Sequence, residues 1–309
     1  MISQQGSRKL RASTLVKLSV LRAGFAIGGH LAPRHTVDRA ARLFSTPSVS
    51  SRSRARAAQV DSGMQRREIN VNNQTIATYV WGDPSTQPYA LLVHGWSSFG
   101  LRFLPWIHHL REAGFAAVTF DQPGHGNSTG ELCTLPDFIH TIHAIGALYG
   151  NAALAIGHSL GGAAVTLAQA EHWHAERIVA IAPPANMAAA AERFMRFMHL
   201  GYHLRDRFFD WHEHTTGVNV SELDVRRHLP ALGHPCLIVH DLDDVEVPWG
   251  EGELYAHHWH NARLLTTQGL GHHKVLDAPE VIDAVLAFTR GEHVGNRVIA
   301  SPNLPLCLA

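Results

Sequence analysis

The residues whose types and spacing could do chemistry centre on 155–162, Ala-Ile-Gly-His-Ser-Leu-Gly-Gly, with Ser159 in the middle. Ahead of Ser159, 151–156 is a short apolar run that suits a buried strand. Behind it, 160–170 is small and apolar enough to be a helix. A strand that breaks into a helix at G-x-S-x-G is the nucleophile-elbow pattern, built to present a serine hydroxyl. Glycines flank the serine because its backbone is strained and neighbouring segments crowd it, so a Cβ at either position would clash. The helix that follows aims its first N–H groups and positive dipole end at the place where an oxyanion would form. Two glycines around a serine also occur in ordinary turns, so this reading depends on the rest of the chain.

The flanking elements supply that context. Short β-type runs at 67–71 and 75–81 are joined by Asn72-Asn73-Gln74, a hairpin signal. An apolar strand at 89–93 ends in His94-Gly95-Trp96, and a helix is expected over 101–113. The strand 115–120 runs into Asp121-Gln122-Pro123-Gly124-His125-Gly126-Asn127-Ser128, and helix 137–149 leads to the elbow strand. A strand at 177–182 stops at Pro183-Pro184. Apolar strands alternating with helices predict an α/β chain with a mostly parallel sheet covered on both faces. In such sheets functional residues gather at the carboxyl ends of strands, where this chain carries His-Gly-Trp, the Asp121 loop and the Ser159 elbow.

Residues 185–232 interrupt the alternation. Helices are expected over 186–202 and 221–229, rich in Met, Phe and Trp, as a helical lid whose apolar residues pack together, line an acyl pocket, or do both. The alternation returns with strand 236–239, then His240-Asp241-Leu242-Asp243-Asp244-Val245-Glu246-Val247-Pro248, helix 249–259 and strand 263–267. Gly269-Leu270-Gly271-His272-His273 follows, then a closing helix over 279–289 and a loose tail from 291. There is no internal repeat.

His94-Gly95, the Gly-His-Ser-Leu-Gly-Gly elbow, the D-D-x-x-V-P segment and the late G-x-G-H together resemble the α/β-hydrolase family over about residues 65–290. The closest likeness is to its bacterial esterase, monoglyceride-lipase and serine-aminopeptidase-like branch, which carries a helical lid. The resemblance implies an α/β-hydrolase fold and the chain order nucleophile, acid, histidine. On it Ser159 is the nucleophile and Asp244 the acid, three residues before Val247, with Asp241 and Asp243 as competitors that cap the turn or face solvent. His272 is the base, with His273 as its rival. The backbone N–H groups of Trp96 and Leu160 would hold the oxyanion. Asp121 and His125 match a segment that supports the site, and His158 matches a packing position. The implied reaction is acyl transfer from a carboxylic ester or lipid-type substrate to water, with thioester, amide and perhydrolysis chemistry open to the same residues. A ligand-binding or signalling protein on the same scaffold is the alternative of another class.

Composition bounds the remaining choices. The 309 residues are 45% hydrophobic and 17% charged, enough for a sizeable core. Formal net charge is zero, yet 1–60 hold eleven Lys/Arg and one acid, Asp38, so a basic arm precedes an acidic body. Residues 14–44 read as two amphipathic helices broken at Ala32-Pro33, and 45–63 as a linker. The hydrolase domain is therefore expected over 64–290, with the lid at 185–232, the arm and linker before it and a tail at 291–309. The arm either packs on the body or makes a peripheral contact with anionic lipid. Cys133, Cys236 and Cys307 form no metal or redox spacing, and an odd count without a disulfide framework suits a reducing, cytoplasmic setting. The 24 histidines show no repeated ligand spacing. No G-x-G-x-x-G follows the first strand and there is no Walker pattern, so no cofactor and no nucleic-acid partner are expected, only a small-molecule substrate.

Overall fold

The apolar runs of the sequence become the inner strands of one eight-stranded sheet. In the computed structural model residues 12–60, 63–171 and 173–299 are described. The start of the basic arm, 1–11, therefore falls outside them, as does Cys307. The strands are β1 Met64–Val71, β2 Gln74–Trp81, β3 Tyr89–Val93, β4 Ala116–Phe120, β5 Ala152–His158, β6 Ala175–Ile181, β7 Cys236–Asp241 and β8 Ala262–Thr267. The helices are α1 Ala12–Leu31, α2 Pro33–Phe44, α3 Ser50–Ala57, α4 Leu104–Glu112, α5 Leu135–Tyr149, α6 Leu160–Ala170, α7 Met187–Phe197, α8 Arg205–Thr216, α9 Trp249–His258, α10 Gly271–Lys274 and α11 Pro279–Thr289. They fall into two compact units, one drawn from Met1–Phe44 and Ala188–Val220, the other from Ser45–Met187 and Ser221–Ala309.

The second unit holds the sheet, in the order β1-β2-β4-β3-β5-β6-β7-β8. β1 and β2 form the expected hairpin, turned by Asn72 and Asn73 at φ 50° and 63°, a backbone that asparagine tolerates. β2 meets β4 antiparallel, and every later pairing is parallel. β3 and β4 are buried at every position because helices cover both faces of the sheet. Alternation along β5 sends Ala155 toward the cluster holding Phe138 and Ile142 of α5, and Leu154 and Ile156 toward the one holding Trp106 of α4 and Val281 of α11. The carboxyl ends of β3, β4, β5, β7 and β8 thus converge on one edge.

Three sequence expectations for this unit are corrected. Residues 45–63, read as a linker, contain α3, whose Ala55 packs into the core. Arg52 donates to the Ser128 and Gly130 carbonyls and Arg54 to that of Ser97, so arginines of the expected linker are anchors. The helix expected over 221–229 is instead two short 3₁₀ turns, Val225–Arg227 and Leu229–Ala231, with the Asp224 side chain capping the first and Pro230 within the second. The tail, expected to be loose from 291, is anchored at 294–296. Asn296 exchanges both backbone hydrogen bonds with Leu264 of β8, and the Arg263 guanidinium holds the Val294 and Gly295 carbonyls.

The first unit is helical. The predicted break at Pro33 separates α1 from α2, and the Ala32 carbonyl accepts from Thr36 N–H. Phe25 of α1 and Val37, Ala40 and Ala41 of α2 share one core with Met195 of α7, Met198, and Phe208 and Phe209 of α8. Those methionines and phenylalanines are packed within their own unit, the packing role expected of them.

Candidate active site

Ser159 stands between β5 and α6 at φ 52° and ψ −125°. A non-glycine residue held there stores about 1–3 kcal/mol of backbone strain, kept by the structure around it. Its N–H donates to the Ile181 carbonyl at 2.8 Å, and its own carbonyl accepts from Gly162 and Ala163 to start α6. The flanking glycines are required by crowding. A Cβ on Gly157 would stand 2.4 Å from the Gly161 carbonyl oxygen, and one on Gly161 would stand 2.3 Å from that of Val93.

The loop after β3 lies against the serine, since a Cβ built on Gly95 would meet Ser159 Cβ at 2.9 Å. Among the described residues, the backbone N–H groups of Trp96 and Leu160 make no hydrogen bond within the protein. Two buried histidines fix this loop. His94 Nε2 accepts from Gln122 N–H at 3.0 Å, so its Nδ1 carries the proton and donates to the Gly95 carbonyl at 2.7 Å. His125 Nε2 accepts from Ser97 N–H at 3.0 Å, and its Nδ1 donates to the Pro123 carbonyl. Asp121 accepts from Gly100 N–H, Tyr79 hydroxyl and Asn127 N–H, each at 2.7 Å. Burial pushes its carboxyl above the usual range. Asp121 and His125 therefore hold the loops and face no open site.

The loops after β7 and β8 bring Asp244 and His272 together. His272 Nδ1 is 2.7 Å from Asp244 Oδ2, with both side chains buried. Facing a carboxylate, Nδ1 carries the proton and leaves the Nε2 lone pair available. Asp244 Oδ1 accepts from the Glu246 and Val247 N–H groups at 2.9 Å, and His240 Nε2 lies 3.5 Å from Oδ2 and 3.0 Å from the Val247 carbonyl. Burial would raise the Asp244 carboxyl, but the bonds from His240, His272 and Val247 outweigh it and hold it well below the ordinary range. The rivals are occupied elsewhere. His273 is exposed and paired with Glu246 at 2.9 Å, a bond that raises its pKa. Asp243 accepts from Gly269 N–H.

Two residues tie this pair to the rest of the site, and the sequence reading missed the role of the first. His158, read as packing, donates from Nε2 to the His272 carbonyl at 2.8 Å, so the residue before Ser159 grips the backbone of the residue carrying the base. Asp241, read as a competitor that caps the turn or faces solvent, is buried and accepts from Asp243, Leu270 and Gly271 N–H and from the Thr267 hydroxyl, a capping role that also stitches the loop after β7 to the loop after β8. Among the described residues the Ser159 hydroxyl is not hydrogen-bonded to His272; such contacts often tighten only with substrate bound.

The fold has counterparts among known proteins. Residues 85–223 match the family model described as serine aminopeptidase, S33. A lipase of Acinetobacter baumannii, described as putative, superposes with TM-score 0.60 at 15% identity, covering 79% of this chain and 97% of its own. The chain has the α/β-hydrolase fold. An esterase of Exiguobacterium antarcticum shares this α/β-hydrolase fold with TM-score 0.55 at 17% identity, covering 73% of this chain and 100% of its own. A membrane phospholipase A described as a bacterial virulence factor does so with TM-score 0.59 at 18% identity, covering 90% of this chain and 98% of its own. At these identities the likeness is one of fold. No curated protein matches the sequence. Among the described residues of this α/β-hydrolase, no group of three or more His, Cys, Asp or Glu is arranged to hold a metal ion, and no helix is long and apolar enough to cross a membrane.

The buried histidines of the α/β-hydrolase site set its response to acid. Burial pushes His94 down to about 4, and burial together with the neighbouring His272 pushes His158 down to about 3. An unfolded histidine titrates near 6.5. Between these values the unfolded chain binds more protons than the native one, so native stability falls as pH drops from about 6.5 toward 4. Urea midpoints measured at steps from pH 7 to pH 4 are expected to decline through that window. A flat profile would contradict the neutral, hydrogen-bonded histidines described above.

Proposed function

We propose that the chain is a serine hydrolase that cleaves a carboxylic ester or lipid-type acyl substrate through an acyl-enzyme. The observation that carries this reading is the buried His272–Asp244 pair whose backbone is held by the residue next to Ser159. On this reading Ser159 Oγ attacks the carbonyl carbon and its proton passes to His272 Nε2, while Asp244 orients the imidazole and stabilises the imidazolium. The Trp96 and Leu160 amides receive the oxyanion of the tetrahedral intermediate. Collapse breaks the C–O bond, and the leaving alcohol takes the proton from His272. Water then repeats the sequence on the acyl-Ser159 ester, His272 taking and returning a proton, and the carboxylic acid departs.

The ester assignment is finer than the fold supports alone, because fold and triad do not choose a substrate. It draws on the described activities of proteins sharing the fold, a lipase, an esterase and a phospholipase. The test is hydrolysis of p-nitrophenyl acetate, butyrate, octanoate and laurate, with leucine p-nitroanilide alongside. The ester reading expects turnover of at least one ester and little of the anilide, and the preferred chain length gauges the acyl pocket. Anilide cleavage without ester cleavage would move the assignment to an aminopeptidase.

A further inference from the structure

The first helix has two apolar faces and only one is used within its unit. Leu18, Leu21 and Phe25 point into the core shared with α2, α7 and α8. On the other side Val16, Val20, Ile27 and Leu31 are 62%, 67%, 60% and 80% exposed. At 100° per residue these four lie within an arc of about 60° and extend over about 22 Å of helix. Ala23 falls in the same stripe and is exposed, and α1 contains no acidic residue. Large aliphatic side chains exposed in a contiguous row differ from the single exposed leucines of an ordinary surface.

The charge around the stripe says what it fits. Residues 1–44 carry eight Lys/Arg and one acid, and Arg8, Lys9 and Arg11 immediately precede α1 in the sequence. That acid, Asp38, is engaged by Arg42 at 3.2 Å and by the Trp211 indole N–H at 3.0 Å. Over its whole span the helical unit has twelve Lys/Arg against five Asp/Glu, whereas the sheet unit has fourteen against twenty-one. The cationic excess therefore belongs to the unit that carries the stripe. A second copy on the same face would set like charges together. An anionic lipid surface supplies both an apolar layer for the aliphatic side chains and opposite charge for the arginines and lysines.

We infer that the outward face of α1 is a monotopic docking surface for an anionic bilayer, with Val16, Val20, Ile27 and Leu31 seated at the headgroup–acyl boundary. The helix lies on the membrane and does not span it. Its inner face is occupied by its own unit, and no described helix meets the requirement for crossing. Single-point attachment of this kind is weak and reversible, and it depends on salt and lipid charge.

The experiment is co-sedimentation of the full chain with sucrose-loaded vesicles of phosphatidylcholine alone or mixed with phosphatidylglycerol, comparing wild type with Val20→Asp/Ile27→Asp. Wild type is expected in the pellet with the mixed vesicles and in the supernatant with phosphatidylcholine. The double variant should lose pelleting about tenfold or more while keeping its melting temperature and its turnover of a soluble ester. Wild type that ignores lipid charge, or a folded variant that pellets as well as wild type, would overturn the inference. So would light scattering that shows a wild-type dimer converted to monomer by the variant, because the face would then belong to a second copy. If the variant fails to melt cooperatively, the wild-type comparison between the two lipids decides alone. Pelleting needs no catalysis, so its failure is separate from any failure of the hydrolase reading.

Discussion

Replacing Ser159 with alanine is expected to lower ester turnover by about 10³-fold or more while leaving the melting temperature unchanged. The two halves of this expectation have separate causes. The hydroxyl makes no hydrogen bond among the described residues, so its removal leaves no buried partner unsatisfied. Alanine keeps the Cβ and therefore neither relieves nor adds to the strain at φ 52°. Chemistry, by contrast, loses its only route to an acyl-enzyme. The Trp96 and Leu160 amides would still polarise a bound carbonyl, and such an oxyanion site alone retains a small residual rate over water. Rates of p-nitrophenyl ester hydrolysis on matched preparations, with melting curves recorded in parallel, provide the check. Turnover that survives in a folded Ser159→Ala protein would mean that the central assignment is wrong.

How far the sequence could be read depended on whether a signal was local. The elbow was legible because it is encoded in five consecutive residues whose glycines are forced by contacts of 2.3–2.4 Å, and the adjoining strand and helix carry their own periodicity. Strands such as Tyr89–Val93 and Ala116–Phe120 were legible as unbroken apolar runs. Roles set by distant contacts were not. Arg52 and Arg54 lie in a stretch read as linker, and only the fold shows the carbonyls of Ser97, Ser128 and Gly130 within their reach. The His158 side chain meets the His272 carbonyl across 114 residues of sequence, and Asp241 reaches Gly271 across 30. Met195 and Phe208 show the same limit from the other side. Their apolar character was plain, but whether it served a pocket or a core turned on α1 and α2, more than a hundred residues earlier in the chain.

The second large effect is expected from Asp244→Asn, which should reduce kcat/KM by about 10⁴-fold although the change is nearly isosteric. The native carboxylate accepts on both oxygens: Oδ1 from Glu246 and Val247 N–H, and Oδ2 from His272, with His240 Nε2 also 3.5 Å from it. An asparagine can satisfy only one side. If its oxygen stays on the two backbone donors, its NH₂ faces His272 Nδ1, and the imidazole must hold its proton on Nε2, where it cannot accept the Ser159 proton. The same NH₂ then opposes the Nε2 proton of His240, which is fixed by the Val247 carbonyl. If the amide flips, two backbone donors lose their acceptor instead. Either way a buried group is left unpaired, at about 1–3 kcal/mol, so the melting temperature should fall along with the rate. Raising the pH should restore little activity, because the defect is a proton on the wrong nitrogen and not a shift in basicity. A pH–rate profile and a melting curve of Asp244→Asn test both parts. Retention of a tenth or more of wild-type activity would assign the acid to a neighbour. Asp241 is the nearest carboxylate in sequence on β7, yet its oxygens are already committed to Thr267, Leu270, Gly271 and Asp243, which makes it a poor substitute.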